Sequence, residues 1–300
     1  MKTDNLLKIP NWLKEEYPFS PVVHTTATGA RLSYLDEGEG EGDHAVLMLH
    51  GNPTWSFYYR NLVKELSPHR RCIVPDHIGM GLSDKPAHYD YKLATRIADV
   101  VSLIDQLQLK RIDLVVHDWG GAIGFGVAEQ RPNIIGRIVI MNTAAFTSMH
   151  IPRRIALCRL PVLGPLIVRG GNGFAGPAIW MAMRRKPLTK TESRGYLLPY
   201  DSWANRVAVS SFVQDIPMND SHPSWSTLKR VEEGIGKFKN HATLVIWGGQ
   251  DFCFNDYFHQ EWLERLPNAE DLYLEDAGHY VLEDASNDVV PRIREHLLKG

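Results

Sequence analysis

The chain of 300 residues has little cysteine: Cys72, Cys158 and Cys253 are widely spaced and odd in number. That excludes a disulfide framework, fits a reducing compartment, and leaves no cysteine cluster of the metal-binding type. Charge of one sign is lacking too. The 33 Lys and Arg and 35 Asp and Glu are interspersed and give a formal net charge of −2. Such a balance leaves no electrostatic footprint for nucleic acid, and no nucleic-acid partner is expected. No apolar run approaches the roughly 20 residues that cross a bilayer, so no integral membrane segment is expected. Met1 to Glu16 are polar and charged, without the pattern of a signal peptide. The expectation is a soluble cytoplasmic protein. Internal repeats and low-complexity tracts are absent as well.

What is present is a large apolar fraction, 44% of residues, ample for one core with an insertion. Val22–Thr26 and Arg31–Leu35 read as a hairpin around Thr28-Gly29. Ala45–Leu49, Cys72–Val74, Ile112–His117 and Arg137–Met141 are short apolar runs, as expected of strands buried on both faces. Between them Trp55–Leu66, Tyr91–Leu107 and Trp119–Gln130 have helical spacing. Alternation of this kind predicts an α/β fold, a mostly parallel sheet with helices on both faces. The rhythm stops from about Phe146 to Pro223, a stretch rich in Pro, Gly, Arg and aromatics. Within it Phe174–Arg184 and Trp203–Phe212 look helical. Strands return at Leu244–Trp247 and Leu272–Leu274, with helices near Tyr257–Leu266 and Asn287–Leu298. The expected division is a core of residues 1–146 and 223–300 with a helical cap, or lid, of residues 147–222 inserted in it. Ligands of open α/β sheets bind at the carboxyl edge of the strands, which such a cap would cover.

At that edge stands Asp118, in Leu114-Val115-Val116-His117-Asp118-Trp119-Gly120-Gly121. A carboxylate directly after an apolar strand is expensive to keep unless the site uses it. The setting has the form of a nucleophile elbow, usually G-x-S-x-G, with Asp118 for the serine and Val116 for the first glycine. Asp251 follows Ile246-Trp247-Gly248-Gly249-Gln250, and His279 follows the last strand. Each alone has a bland alternative, a helix cap for Asp251 and a structural role for His279. The order nucleophile, acid, histidine predicts a triad. Asp118 would attack carbon and form a covalent intermediate, His279 would take a proton from water, and Asp251 would fix its tautomer. His50-Gly51-Asn52-Pro53-Thr54-Trp55 follows a buried strand. The backbone N–H groups of Asn52 and Trp119 are expected as oxyanion donors, with their side-chain N–H groups aimed at a departing anion.

These motifs, with Gly79-Met80-Gly81-Leu82-Ser83-Asp84-Lys85-Pro86 and Gly278-His279, resemble the Asp-nucleophile branch of the α/β-hydrolase superfamily, the haloalkane-dehalogenase-like group. The resemblance implies that Asn52 and Trp119 hold the leaving halide. Some members carry the triad acid where Asn142 stands, so the acid here should be Asp251. Pro199–Arg206 and Phe212–Pro217 resemble one branch more closely, the β-lactone decarboxylases of olefin biosynthesis. That implies decarboxylation of a cis-3,4-dialkyl-β-lactone to a cis-alkene and carbon dioxide, with haloalkane hydrolysis as the alternative. An epoxide hydrolase using Tyr196 or Tyr200 as acid, or a ligand receptor without catalysis, stands further off. Trp180, Met181, Met183, Tyr196, Leu197, Leu198 and Trp203 either line an acyl pocket or pack the lid on the core. An apolar small-molecule substrate is implied, and no cofactor or metal. Homo-oligomerisation or assembly with pathway enzymes is the partner expectation. Arg153-Arg154 and Arg184-Arg185 read as solvated surface, the alternative being a docking face for a partner enzyme or an anionic lipid surface.

Overall fold

The computed structural model describes residues 8–38, 40 and 42–299. The first seven residues of the amino-terminal stretch read above lie outside them. Among the described residues an eight-stranded sheet runs in the order β1-β2-β4-β3-β5-β6-β7-β8. The strands are β1 (Val22–Thr25), β2 (Arg31–Glu37), β3 (His44–Leu49), β4 (Arg71–Pro75), β5 (Arg111–Asp118), β6 (Ile135–Thr143), β7 (Thr243–Gly248) and β8 (Glu270–Leu274). The expected hairpin is β1 and β2, antiparallel, and β2 pairs antiparallel with β4. Every other pairing is parallel.

The apolar runs are continuous because both faces of the central strands are covered, and their period of two sorts residues into two cores. Leu47, Leu114, Val116, Ile138 and Val245 face one cluster, while Val46, Val115, Val139 and Leu244 face the other. The first core is closed by α2 (Leu93–Gln106), α3 (Trp119–Gln130), α9 (Trp225–Gly234) and α10 (Asp256–Arg265). The second is closed by α1 (Arg60–Leu66), α11 (Val281–Asp284) and α12 (Ser286–Leu298).

Between β6 and β7 no strand occurs among the described residues. The chain instead forms α4 (Arg153–Cys158), α5 (Leu163–Pro165) leading into a π-helical turn at Leu166–Gly170, α6 (Ala175–Met181), α7 (Lys190–Leu197) and α8 (Val207–Gln214). The expected helix over Phe174–Arg184 is therefore shorter, and α4, α5, α7 and α9 stand where no helix is expected from the sequence. For α7 a signal existed: Thr189 and Glu192 form a reciprocal capping box. The helix α9 packs on α3 and belongs with the core layer.

The cap is tied to the core by buried polar hubs. Asp215 at the end of α8 accepts from the backbone N–H of Leu93 at 2.7 Å, from Ser224 Oγ at 2.6 Å and from Arg96 at 3.3 Å. Arg60, fully buried, pairs with Glu283 and with Glu192 of α7, and lies 4.1 Å over the Phe57 ring. Buried charges of this kind are tolerable only when so partnered. These ties hold the cap helices above the carboxyl ends of the strands.

Candidate active site

Asp118 sits at the end of β5 with φ 52° and ψ −128°, a conformation costly for a residue with a side chain. The following helix starts at once, so the carboxylate projects from the turn rather than into the sheet. Two close approaches make the turn feasible. A Cβ on Gly120 would collide with the carbonyl of Leu49, and one on Gly51 would collide with the Asp118 side chain itself. Thr143 Oγ1 donates to the Asp118 carbonyl and braces the turn from β6.

The two carboxylate oxygens have different surroundings. Oδ1 accepts from the backbone N–H of Asn52 at 2.6 Å, and the backbone N–H of Trp119 also donates to the carboxylate. Oδ2 lies 3.7 Å from His279 Nε2. Across the imidazole, His279 Nδ1 is 2.7 Å from Asp251 Oδ2. Asp251 is held in turn: Cys253 N–H donates to Oδ1 at 2.6 Å and Asn142 Nδ2 to Oδ2 at 3.0 Å. Asn142, with φ 32°, also donates to the Gly248 carbonyl and accepts from the Gly248 N–H at 2.9 Å. It thus pins the β7 turn that carries Asp251. His117, fully buried, donates from Nε2 to the His279 carbonyl at 2.9 Å, and its ring lies 4.6 Å from the His279 ring.

Burial pushes the Asp118 carboxyl above its ordinary 3.8, against the nearby imidazole and the backbone donors, which favour the anion. Burial alone would lower His279, but the charges of Asp251 and Asp118 outweigh it and raise its pKa above 6.5. His117, by contrast, is held well below 6.5 by desolvation first and by His279 second, so it stays a neutral spacer. The site therefore keeps one imidazole between two carboxylates, and the neighbouring His117 adds no charge to it.

Above Asp118 is a cavity of about 470 Å³, within the range of small-molecule pockets. Asn52, Asp118, Trp119 and His279 line its floor, and Phe146, Ile155, Phe174, Trp180, Met181 and Phe258 are among its apolar walls. One N–H of the Asn52 side chain is engaged by the cap: Nδ2 donates to the Val209 carbonyl of α8 at 3.1 Å. The Trp119 ring packs 5.3 Å from Phe212 of the same helix. Trp180 and Met181 line the cavity, whereas Met183, Tyr196, Leu197, Leu198 and Trp203 do not. Tyr196 donates instead to Glu283 at 2.6 Å, and Tyr200 to the Thr54 carbonyl at 3.3 Å. Neither tyrosine faces the carboxylate. Among the described residues no group of three or more His, Cys, Asp and Glu is placed to hold a metal ion. None of their helices is long and apolar enough to cross a membrane.

A family model described as the alpha/beta hydrolase fold matches residues 44–286. The chain belongs to the α/β-hydrolase family. This α/β hydrolase is 45% identical over 275 residues to a cis-3-alkyl-4-alkyloxetan-2-one decarboxylase of Shewanella oneidensis, covering 90% of this chain and 86% of the relative. It is 42% identical to the protein of the same name from Xanthomonas campestris pv. campestris, over 94% of this chain and 97% of that one. A haloalkane dehalogenase of Mycolicibacterium paratuberculosis is 29% identical, with 93% of each covered. Among solved structures, haloalkane dehalogenase DbeA of Bradyrhizobium elkani superposes with a TM-score of 0.79 at 23% identity, over 92% of this chain and 99% of that one. The α/β hydrolase is thus an enzyme related to these decarboxylases and haloalkane dehalogenases.

Proposed function

We propose that Asp118 is the nucleophile, His279 the base and Asp251 the triad acid, and that the enzyme decarboxylates cis-3,4-dialkyl-β-lactones to cis-alkenes and carbon dioxide. The observation that carries the assignment is the placement of the Asp118 carboxylate. One oxygen is tied to the backbone N–H of Asn52 while the other is open toward His279 and an apolar cavity. The two decarboxylase relatives support the substrate class.

The chemistry balances without water. Asp118 attacks ring carbon C4 of the lactone from behind, and the C4–O bond breaks. The product is an ester on Asp118 and a free β-carboxylate. The C2–C3 bond then breaks, its electrons form the C3=C4 double bond, and the ester oxygen leaves C4. Carbon dioxide departs and Asp118 is regenerated. Inversion at C4 followed by anti elimination carries the cis ring to a cis-alkene. The displaced carboxylate is the anion that the side-chain N–H groups of Asn52 and Trp119 would receive. Val209 takes one of the two Asn52 amide hydrogens and leaves the other for this role.

A haloalkane makes the same first demand, displacement of an anion from saturated carbon. Its ester, lacking a carboxylate, must be hydrolysed by water. The His279–Asp251 pair is built for that step, which favours haloalkane hydrolysis as a second reading. The test is incubation with a cis-dialkyl-β-lactone and gas chromatography for the cis-alkene, alongside halide release from 1-bromoalkanes. Alkene formation lost in Asp118→Ala supports the proposal. Halide release without lactone turnover replaces it with the second reading. Residues 147–222 act in this account as the cap that excludes water from the cavity. A cytoplasmic location and association with enzymes that make the lactone complete the reading.

A further inference from the structure

One stretch of the cap has a composition found nowhere else on the chain. From Thr147 to Thr191 there is no Asp or Glu, and there are eight Lys or Arg. The same stretch carries exposed large apolar side chains: Met149 is 69% exposed, Val162 76%, Leu166 54% and Trp180 64%, with Leu160 and Leu163 beside them. Monomeric proteins seldom leave such a group in water without a use for it.

The backbone presents this group actively. Leu163 N–H donates to the Pro161 carbonyl at 2.6 Å, closing a γ-turn whose central residue, Val162, has φ 64° and ψ −56°. A β-branched residue in that region is strained, and Asn or Gly would relieve it. The strain puts an isopropyl group at the tip of the turn, pointing into solvent. In the same stretch Arg153, Arg154, Arg159 and Arg169 have no carboxylate partner among the described residues. Arg154 reaches Met181 Sδ, Arg159 the Ile216 carbonyl, and Arg169 the Trp203 carbonyl. Arg185 is different, because Asp276 and Asp288 neutralise it. Arg154, Leu157 and Trp180 are exposed and also line the active-site cavity, so its mouth opens on this face.

We infer that this face of the cap docks on an anionic phospholipid surface, with Val162, Leu166 and Trp180 entering the headgroup region and the arginines facing phosphates. Apolar tips in one stretch with guanidinium groups that lack carboxylate partners match the interface of a charged bilayer. An apolar substrate would pass from the acyl region into the cavity without crossing water. The inference does not depend on which carbon electrophile Asp118 attacks.

The test is sedimentation of the full chain with vesicles of phosphatidylglycerol and phosphatidylcholine, and with vesicles of phosphatidylcholine alone. Binding is expected to the former, weakening with added salt. Val162→Glu with Leu166→Glu should reduce it at least tenfold. Arg153→Gln should reduce it about fivefold, as one interfacial arginine implies. These side chains are exposed and lie outside the cavity lining, so unchanged melting and unchanged turnover of a short, water-soluble substrate show that the variants are folded. Absence of binding to the anionic vesicles overturns the inference. So does equal binding by the Val162→Glu, Leu166→Glu variant. A stable dimer in analytical ultracentrifugation that the same variant dissolves also overturns it, by assigning the face to a second copy.

Discussion

Replacing Asn142 by alanine tests how Asp251 is held. Asn142 makes three hydrogen bonds, two across to Gly248 and one to Asp251 Oδ2, all buried. Alanine leaves the Gly248 N–H and carbonyl unpaired in the interior, at about 1–3 kcal/mol each, and removes a charge-assisted bond of similar size. The positive φ of residue 142 adds roughly 1 kcal/mol against alanine. The sum is about 4 kcal/mol after partial relaxation, or a fall in melting temperature on the order of 10 °C. Function should suffer separately. With Asp251 Oδ2 held only by His279 and the β7 turn no longer pinned, the imidazole shifts from its place beside Asp118, and a displacement near 1 Å costs about 10²-fold in turnover. Scanning calorimetry reads the first effect, and steady-state turnover below the melting range reads the second. Turnover within threefold of wild type, at whatever stability, would refute the reasoning that Asn142 positions the triad. Asn142→Asp adds a like charge beside Asp251 and should be no rescue.

The His279 imidazole should titrate above 6.5 in nuclear magnetic resonance, and Asp118→Asn should bring its midpoint down, since Asp118 is one of the charges that raise it. The sign for stability is fixed by the same shift. The contribution of protonated His279 is fully present below pH 6.5 and is lost as pH rises through its raised folded value, whereas water activation by the neutral ring improves over that window. Gly120→Ala should yield little folded protein, because its Cβ meets the rigid Leu49 carbonyl, and recovery of soluble, fully active enzyme would contradict the elbow geometry. Tyr196→Phe should destabilise by about 1–3 kcal/mol through loss of the bond to Glu283, with turnover within twofold. Loss of turnover without loss of stability would instead mark Tyr196 as an acid acting on substrate.

The sheet and the order of Asp118, Asp251 and His279 were legible because buried parallel strands read as short apolar runs and a charge at their carboxyl end stands out. The cap was harder. Its helices are short, as with α4 and α6, and are broken by Gly and Pro. They form because Asp215, Arg60 and Tyr196 tie them to residues far away in the chain. Periodicity carries no trace of such ties. The part of Asn142 was hidden for the same reason, since its partners stand more than a hundred positions further on. The Asn52 side chain is held partly by a backbone carbonyl of α8, which any residue at position 209 would supply. Only in three dimensions do exposed Arg154, Leu157 and Trp180 meet at the cavity lining, which relates the Arg153-Arg154 cluster to the cavity mouth.

Acid-quenched peptide mass spectrometry of His279→Ala enzyme exposed to a 1-iodoalkane examines the covalent step itself. Without His279 to activate water the ester is not hydrolysed, so the peptide holding Asp118 is predicted to gain the mass of the alkyl group, and Asp118→Ala to gain nothing. Product formation at an undiminished rate by Asp118→Ala, or a mass gain that maps to another residue, would contradict it.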